Sequence, residues 1–251
     1  MDSALVRPAI PLSPMPRVAI LTRTLDRPVL LRRTLQSLLE QSFEDWVWIV
    51  VTPSAGSSLR AVQEEYAAKL SGRIQVLEFV PHAPGMRGIP LNHAIQNSNS
   101  ELITVLDDDD TWHPLFLEEM VRFLDRAPTG VGGVVCQTQV LEETSVDEGL
   151  EPLRHYDLNP HLRGLSLAQL AVVNQFCIHA FLYRRSALDA TGLYPEDLPV
   201  LEDWAFNLAF LRHWDVAVLP KILTHYHQRP SVVSGAEANS VFAELDAHKF
   251  Y

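Results

Sequence analysis

ELITVLDDDDTWHP, residues 101–114, is the stretch that decides the fold. Its first six residues form a short apolar run of the kind that fills a buried strand. Four aspartates follow without a break, Asp107, Asp108, Asp109 and Asp110, and from Pro114 to Leu124 the pattern turns helical. A buried strand that ends in charge and runs into a helix is the repeating unit of a parallel α/β sheet. Such sheets bind ligands at the carboxyl ends of their strands. Four adjacent carboxylates repel one another, and a hard divalent cation relieves the repulsion. Mg2+ and Mn2+ prefer oxygen ligands and are often shared with a substrate phosphate. The plainer alternative is a solvated acidic turn in which Asp110 or Thr111 caps the next helix.

The same alternation extends towards the N-terminus. VAILTRT (18–24) and WVWIVV (46–51) read as buried strands, and IQVLEFV (74–80) as an alternating one. After Pro28, a favoured first helical residue, Leu31, Leu35, Leu38 and Leu39 recur at helical spacing. Val62, Tyr66, Ala67 and Leu70 mark another helix, which Gly72 would stop. Ile89 to Asn97 is a third. Beyond residue 125 the pattern is less regular. VGGVVCQTQVLEE (131–143) predicts a long strand, SVDEGLEP (145–152) a polar loop and Leu165 to Val173 a short helix. CIHAFLYRR (177–185) predicts a strand, Leu201 to Trp214 a helix, and Val216–Leu219 and Ile222–Tyr226 two more strands. No repeat or break in composition appears, so one continuous α/β domain is expected.

Composition narrows the function. The 251 residues carry 31 Asp and Glu against 20 Lys and Arg, a formal net charge of −11. That balance argues against a protein that neutralises a nucleic-acid backbone. It argues equally against a polybasic membrane-surface protein. Cys136 and Cys177 make no disulfide framework, and no CxxC is present. The opening MDSALVRPAIPLSPMPR is interrupted by Pro8, Pro11, Pro14 and Pro16 and lacks a signal-peptide core. No run approaches the ~20 apolar residues that span a bilayer. A cytoplasmic protein is expected, with no transmembrane segment and at most peripheral contact at the inner face of the membrane. P-loop, GxGxxG, HExxH and GxSxG patterns are absent, so the chemistry falls to carboxylates and histidines.

Three further runs are candidates. Glu202 and Asp203 open an otherwise apolar helix, where acids are favoured by the helix dipole. A carboxylate beside apolar rings there would also gain basicity. In HYHQRPSVVSG (225–235), His225 and His227 share one face of a strand and could meet a metal or a phosphate. In GMRG (85–88), Arg87 precedes a helix, where guanidinium and backbone N–H groups suit a pyrophosphate.

Together these runs resemble family two of the inverting nucleotide-sugar glycosyltransferases, which have the GT-A fold. The resemblance covers about Val18 to Ser234. The family's PTYNRP strand end corresponds to Arg23-Thr24-Leu25-Asp26-Arg27-Pro28, and its Ser-Leu-Leu-x-Gln helix pattern to Ser37, Leu38, Leu39, Glu40 and Gln41. Its arginine turn matches Gly85 to Ile89, and its Leu-Asp-x-Asp-Asp-x-Trp-x-Pro motif looks like Leu106 to Pro114. The later Glu-Asp pair matches Glu202-Asp203, and the terminal Tyr-x-x-x-Pro-x-Ser pattern resembles Tyr226 to Ser231. Two positions depart from it. The family's base-reading Asp-Asp-Gly-Ser is Val51-Thr52-Pro53-Ser54 here, and its tyrosine near the base is Leu25, so the nucleobase is left open.

The resemblance implies a Rossmann-like, mostly parallel mixed sheet in a single domain, and a metal-dependent transferase. Asp109, helped by Asp107, would hold Mn2+ or Mg2+ against the diphosphate of a nucleotide-sugar donor. Asp108 would face the ribose or sugar, and Asp110 would cap or orient the loop. Thr24, Arg27 and Arg87 would contact the nucleotide. Asp203 would deprotonate the acceptor hydroxyl, with Glu202 supporting it. His227, with His225 beside it, is the candidate third contact to metal or phosphate. Residues 1–16 would be an extended tail and 17–234 the transferase domain, with a nucleotide-sugar half (17–113) and an acceptor half (114–234). Residues 235–251 would be a C-terminal tail. The acceptor would be a hydroxyl-bearing glycan or lipid-linked molecule, and surface-polysaccharide synthesis is a common setting in this family. Two alternatives are a nucleotidyltransferase that makes nucleotide-sugars and a non-catalytic module that binds sugar nucleotide or metal.

Overall fold

The computed structural model describes residues 16–232 and 238–239, apart from Asp26, Ala55, Pro81, Pro84, Asp147 and Glu148. The expected N-terminal tail up to residue 15 and most of 235–251 lie outside the described residues. In chain order, β1 (Val18–Arg23) leads into α1 (Pro28–Leu39), β2 (Trp46–Thr52) into α2 (Ser57–Leu70), and β3 (Ile74–Glu78) into α3 (Gly88–Gln96). There follow β4 (Leu102–Val105), β5 (Thr111–Trp112), α4 (Phe116–Asp125), β6 (Val131–Val146) and β7 (Gly149–Asp157). The chain closes with α5 (Leu167–Leu170), β8 (Phe181–Arg184), α6 (Leu188–Thr191), α7 (Glu202–Leu211) and β9 (Asp215–Gln228).

Among the described residues the strands form one nine-stranded sheet in the order β3-β2-β1-β4-β8-β6-β9-β5, with β7 paired to β6. β1 is parallel to β2 and β4, and β2 to β3. β8 is antiparallel to both β4 and β6, which restores the original direction at β6, and β9 runs parallel to β6. The carboxyl ends of β1, β4, β6 and β9 therefore lie along one edge.

Strand alternation divides the core. Val18, Ile20, Trp46, Trp48 and Val50 face α1 and α4, packing on Leu31, Leu35, Phe116 and Met120. Ala19, Leu21, Val47, Ile49 and Val51 face the other way, towards Leu91 and Ile95 of α3 and Phe206 and Phe210 of α7. Burial on both faces explains why β1 and β2 read as unbroken apolar runs instead of alternating ones.

The structure corrects four expectations in the second half. Residues 145–152 are not a loop: β6 and β7 pair as a hairpin with Val146 opposite Gly149 and Glu143 opposite Pro152. Among the described residues β7 borders only β6, and residues 151–157 are exposed. Residues 216–226 are one strand, because the β6–β9 register steps from Cys136↔Leu219 to Gln137↔Ile222. Pro220 and Lys221 fall in that irregularity, which absorbs the missing proline N–H. The helix expected over 165–173 shrinks to α5, which Ser166 caps by accepting from the Gln169 N–H and which buries only Leu170. Residues 177–185 open with a 3-10 turn, Ile178–Ala180, before β8 begins.

Gly88 shows how tightly α3 sits. A Cβ there would overlap the backbone carbonyl oxygen of Pro195. Gly88→Ala is therefore expected to cost ~1–3 kcal/mol, the usual range for overpacking. Denaturant unfolding would show it as a lower midpoint at an unchanged slope.

Candidate active site

The site follows from the β1–β4 register. Leu21 lies opposite Val105. One step further, the Thr22 hydroxyl donates to the Leu106 carbonyl at 2.6 Å. Continuing the same offset, Arg23 Nε meets Asp107 Oδ1 at 3.1 Å and the Thr24 hydroxyl meets Asp108 Oδ2 at 2.6 Å. α1 then bolts down the backbone of the aspartate loop. Arg33 donates to the Asp109 carbonyl at 2.7 Å and Thr34 to the Asp110 carbonyl at 2.9 Å. Gln41 accepts from the Leu117 N–H and donates to the His113 carbonyl, and Ser37 accepts from the Trp112 N–H. The Ser-Leu-Leu-x-Gln pattern of α1 thus has a mechanical purpose: it fixes the segment that carries the carboxylates.

The four aspartates do not share one partner. Asp107 pairs with Arg23. Asp108, only 1% exposed, is held by Thr24 and by a two-pronged ion pair with Arg27. Asp109 Oδ2 accepts from Arg229 at 2.5 Å, from Asn239 at 3.1 Å and from Arg27 at 3.5 Å. Asp110 meets His179 Nδ1 at 2.9 Å and accepts from the His227 N–H at 2.9 Å. Asp108, Asp109 and Asp110 are all buried. The run is therefore no solvated turn, and Asp110 orients the loop without capping α4, whose preceding residue is Leu115.

Electrostatics separates the neighbours. Burial, reinforced by Asp110 beside it, pushes the Asp109 carboxyl up to about 7, although Arg27 and Arg229 pull it down. Burial also raises Asp110, but the charge and hydrogen bond of His179 outweigh it and hold that carboxyl below its usual range. His179 answers in kind: burial lowers it, Asp110 more than compensates, and its pKa is raised.

β9 supplies the opposite wall. His225 and His227 both approach Thr111 Oγ1, at 3.4 and 2.8 Å. The second ring nitrogen of His227 lies 2.7 Å from Glu143 Oε1, so both of its nitrogens are engaged. Glu143 at the end of β6 also takes two hydrogen bonds from Arg33, at 2.7 and 2.8 Å. Burial, with His227 next to it, presses His225 down to about 4. Both rings line this wall, and both nitrogens of His227 meet protein groups, Thr111 and Glu143.

On the far side of Arg23, Leu201 adopts a left-handed backbone, φ 63°, and α7 starts at the next residue. Glu202 is buried and joins Arg23 NH1 at 2.5 Å. Asp203 accepts from Asn174 Nδ2 at 3.1 Å. Burial, and then the charge of Glu202, raises the Asp203 carboxyl to about 6, while Arg23 and Asn174 pull it back. Trp204 donates its indole N–H to the Leu170 carbonyl at 2.6 Å, which ties α7 to α5. Arg87 stands at the start of α3, with its carbonyl 3.0 Å from Arg23 NH1. Of the departures from the family pattern, Val51 is buried in β2, whereas Leu25 is 79% exposed.

The structure therefore brings Thr24, Arg27, Asp107, Asp108, Asp109, Glu202 and Asp203 to one edge. Arg23, Asn174, His179, Glu143, Arg229 and Asn239 belong to the same edge, and sequence reasoning did not single them out. Arg229 lay inside a run read for its histidines. The others carry no local signal, because their partners are distant in sequence. Among the described residues no group of three or more His, Cys, Asp or Glu side chains is placed to hold a metal ion. Mg2+ and Mn2+ bind through one or two carboxylates and complete their shell with water and substrate phosphate. Asp107 and Asp109 would be those carboxylates here, Asp109 through Oδ1, because its Oδ2 accepts from Arg229, Asn239 and Arg27. Among the described residues no helix is long and apolar enough to cross a membrane.

Residues 16–242 match the family model described as Glycosyltransferase like family 2. The chain is similar to WcaA of Escherichia coli (strain K12), which is named for glycosyl transfer in colanic acid biosynthesis. They are 24% identical over 229 residues, 87% of this chain and 76% of that one. EpsE of Bacillus subtilis (strain 168), named a glycosyltransferase, is 25% identical over 111 residues, 44% of this chain and 39% of its own length. Among solved structures, S. aureus TarS 1-349 in complex with UDP-GlcNAc superposes with a TM-score of 0.62 at 18% identity, covering 93% of this chain and 73% of that chain. The mannosyltransferase PcManGT of Pyrobaculum calidifontis, in complex with GDP-Man and Mn2+, gives 0.59 at 18% identity, covering 84% of this chain and 56% of that one. At such identities the likeness concerns the fold, and that fold is GT-A.

Proposed function

This chain belongs to glycosyltransferase family 2, and from that premise we propose that it moves a sugar from a nucleotide-diphosphate donor to an acceptor hydroxyl, with inversion, in polysaccharide or glycoconjugate synthesis. One observation carries the reading. A half-buried carboxyl raised to about 6, Asp203, stands at a helix start that Arg23 joins to the aspartate loop. A carboxyl in that range is ionised near neutral pH yet basic enough to take a proton in the transition state.

In this reading residues 17–113 bind the donor and 114–234 the acceptor. Asp203 removes the acceptor proton as its oxygen attacks the anomeric carbon from the face opposite the leaving diphosphate. Asn174 orients that carboxylate. Glu202 keeps negative charge beside it and so keeps it basic. Arg27 and Arg87 supply positive charge on the donor side, and Asp108, itself held by the Thr24 hydroxyl, keeps the Arg27 guanidinium in place. A divalent cation, Mn2+ or Mg2+, held by Asp107 and Asp109 together with the donor phosphates, would stabilise charge on the departing nucleoside diphosphate. The histidines of β9 buttress the loop.

Calorimetry with UDP, GDP and dTDP, each with and without Mn2+, tests the donor side. One nucleotide is expected to bind in a Mn2+-dependent manner, and Asp109→Ala should weaken that binding at least ~10-fold, the loss of ~1.4 kcal/mol. Equal binding by the variant would sink the metal assignment. Product formation from a donor panel tests the transfer itself. Pyrophosphate release from a nucleoside triphosphate and a sugar phosphate would point instead to nucleotide-sugar synthesis, and binding without product to a non-catalytic module.

A further inference from the structure

Arg23 touches three separate parts of the site at once. Its Nε donates to Asp107 Oδ1 at 3.1 Å, and its NH1 donates to Glu202 at 2.5 Å and to the Arg87 carbonyl at 3.0 Å. These partners are 84, 179 and 64 residues away in the chain. The side chain is only 18% exposed and that of Glu202 only 3%. Burial opposes the guanidinium charge, yet Asp107 and Glu202 outweigh burial and hold Arg23 firmly protonated. We propose that Arg23 is a positioning residue, a rigid strut that ties the aspartate loop after β4 to the first residue of α7 and so sets Asp203 against the donor. The proposal rests on the transferase reading above.

The need for a strut lies in how α7 begins. Leu201 holds a left-handed backbone, a conformation that costs ~1–3 kcal/mol and persists only where the surroundings over-determine it. Phe206 and Phe210 anchor the later turns of α7 in the core. The first turn is fixed by polar ties: Trp204 to Leu170, Asn174 to Asp203, and Arg23 to Glu202. Of these three, the Arg23 tie reaches the donor side. A guanidinium is suited to it, because its donors are held in one planar fork and fix their acceptors relative to one another. An ammonium on a flexible stem keeps the charge and loses the geometry. Asp107 and Glu202 therefore belong to one mechanical unit although they lie in different halves of the chain.

The test compares the full chain as wild type, Arg23→Met, Arg23→Lys and Glu202→Gln. Amide hydrogen exchange is read on peptides covering 107–112 and 201–206. Arg23→Met is expected to speed exchange in both peptides. Glu202→Gln is expected to speed exchange in 107–112 as well as in its own segment. If Arg23→Met loosens one peptide only, or Glu202→Gln leaves 107–112 unchanged, the strut is overturned. Should Arg23→Met fail to fold, Arg23→Lys and Glu202→Gln decide the matter.

Turnover adds a second readout. Misplacing a reacting group by about 1 Å costs on the order of 100-fold, so kcat of Arg23→Met is expected to fall by about that factor. Glu202, the Trp204 N–H, Arg23, Asn174, Tyr194 and Cys177 act on the Asp203 carboxyl from its own helix and from the elements packed around it. Removing the Arg23 charge should move the acid limb of the kcat profile to higher pH. Arg23→Lys should restore the limb and not the rate. An Arg23→Met profile with an unmoved limb and an unmoved kcat would reduce Arg23 to a stabilising contact. If the wild type forms no product while the exchange pattern holds, the transferase reading fails and the strut stands.

Discussion

Asp203→Asn is expected to turn over at least ~100-fold more slowly than the wild type and to bind donor nucleotide with unchanged affinity. General-base catalysis contributes roughly 100- to 10,000-fold, and an amide cannot take the proton. The substitution keeps shape and size, and its amide oxygen still accepts from Asn174. The proposed donor contacts lie on the other side of Arg23, so the loss should fall on kcat. In the wild type, kcat should fall as pH drops through about 6, because a protonated Asp203 is no base. Asp203→Asn should show its residual rate without that limb. A variant with wild-type turnover would remove Asp203 from the mechanism.

The same raised carboxyl bears on stability, with the opposite sign. A carboxyl that is harder to ionise when folded than when unfolded weakens the fold as pH rises from its ordinary range through about 6. Asp203→Asn removes that penalty, so at neutral pH the inactive variant should melt at or above the wild-type temperature. Loss of activity with gain of stability is the signature of a group held in an unfavourable place for use.

Why the aspartate cluster was legible and its partners were not follows from distance along the chain. Asp107 to Asp110 are consecutive, and the strand before them is apolar on both faces, so the run announces a strand end. Register converts this into pairs: Arg23 with Asp107 and Thr24 with Asp108 follow once β1 lies beside β4. Strand order is a long-range property, and periodicity does not encode it. Arg229 and Asn239 reach Asp109 across 120 and 130 residues. The misread second half has a different cause. Polar β7 and proline-bearing β9 belong to a sheet margin and an irregular register, where side-chain patterning no longer reports on the backbone. Their spacing puts the histidines of β9 on one face, and only the fold supplies their neighbours Thr111 and Glu143.

Arg229→Met should destabilise the fold by about 3–5 kcal/mol, the range seen when one member of a buried ion pair is removed. The guanidinium is fully buried, 2.5 Å from Asp109 and 3.6 Å from Glu143. Methionine fills much of the volume, so the cost is electrostatic more than a cavity. Among the described residues it leaves Asp109, between Asp108 and Asp110, with Arg27 and Asn239 to balance it. Adding Asp109→Asn to Arg229→Met should recover most of the loss, because the uncompensated charge is then gone. Asp109→Asn alone leaves Arg229 with Glu143 and should cost less than Arg229→Met. Urea unfolding of the four proteins closes a double-mutant cycle, and a coupling of at least ~1 kcal/mol is expected for residues in direct contact. Additive losses would mean that Arg229 supports β9 by packing alone and that Asp109 is neutralised by other means. Coupling would show instead that Arg229 and Asp109 stabilise the fold as a charged pair, through the Oδ2 oxygen of that carboxylate.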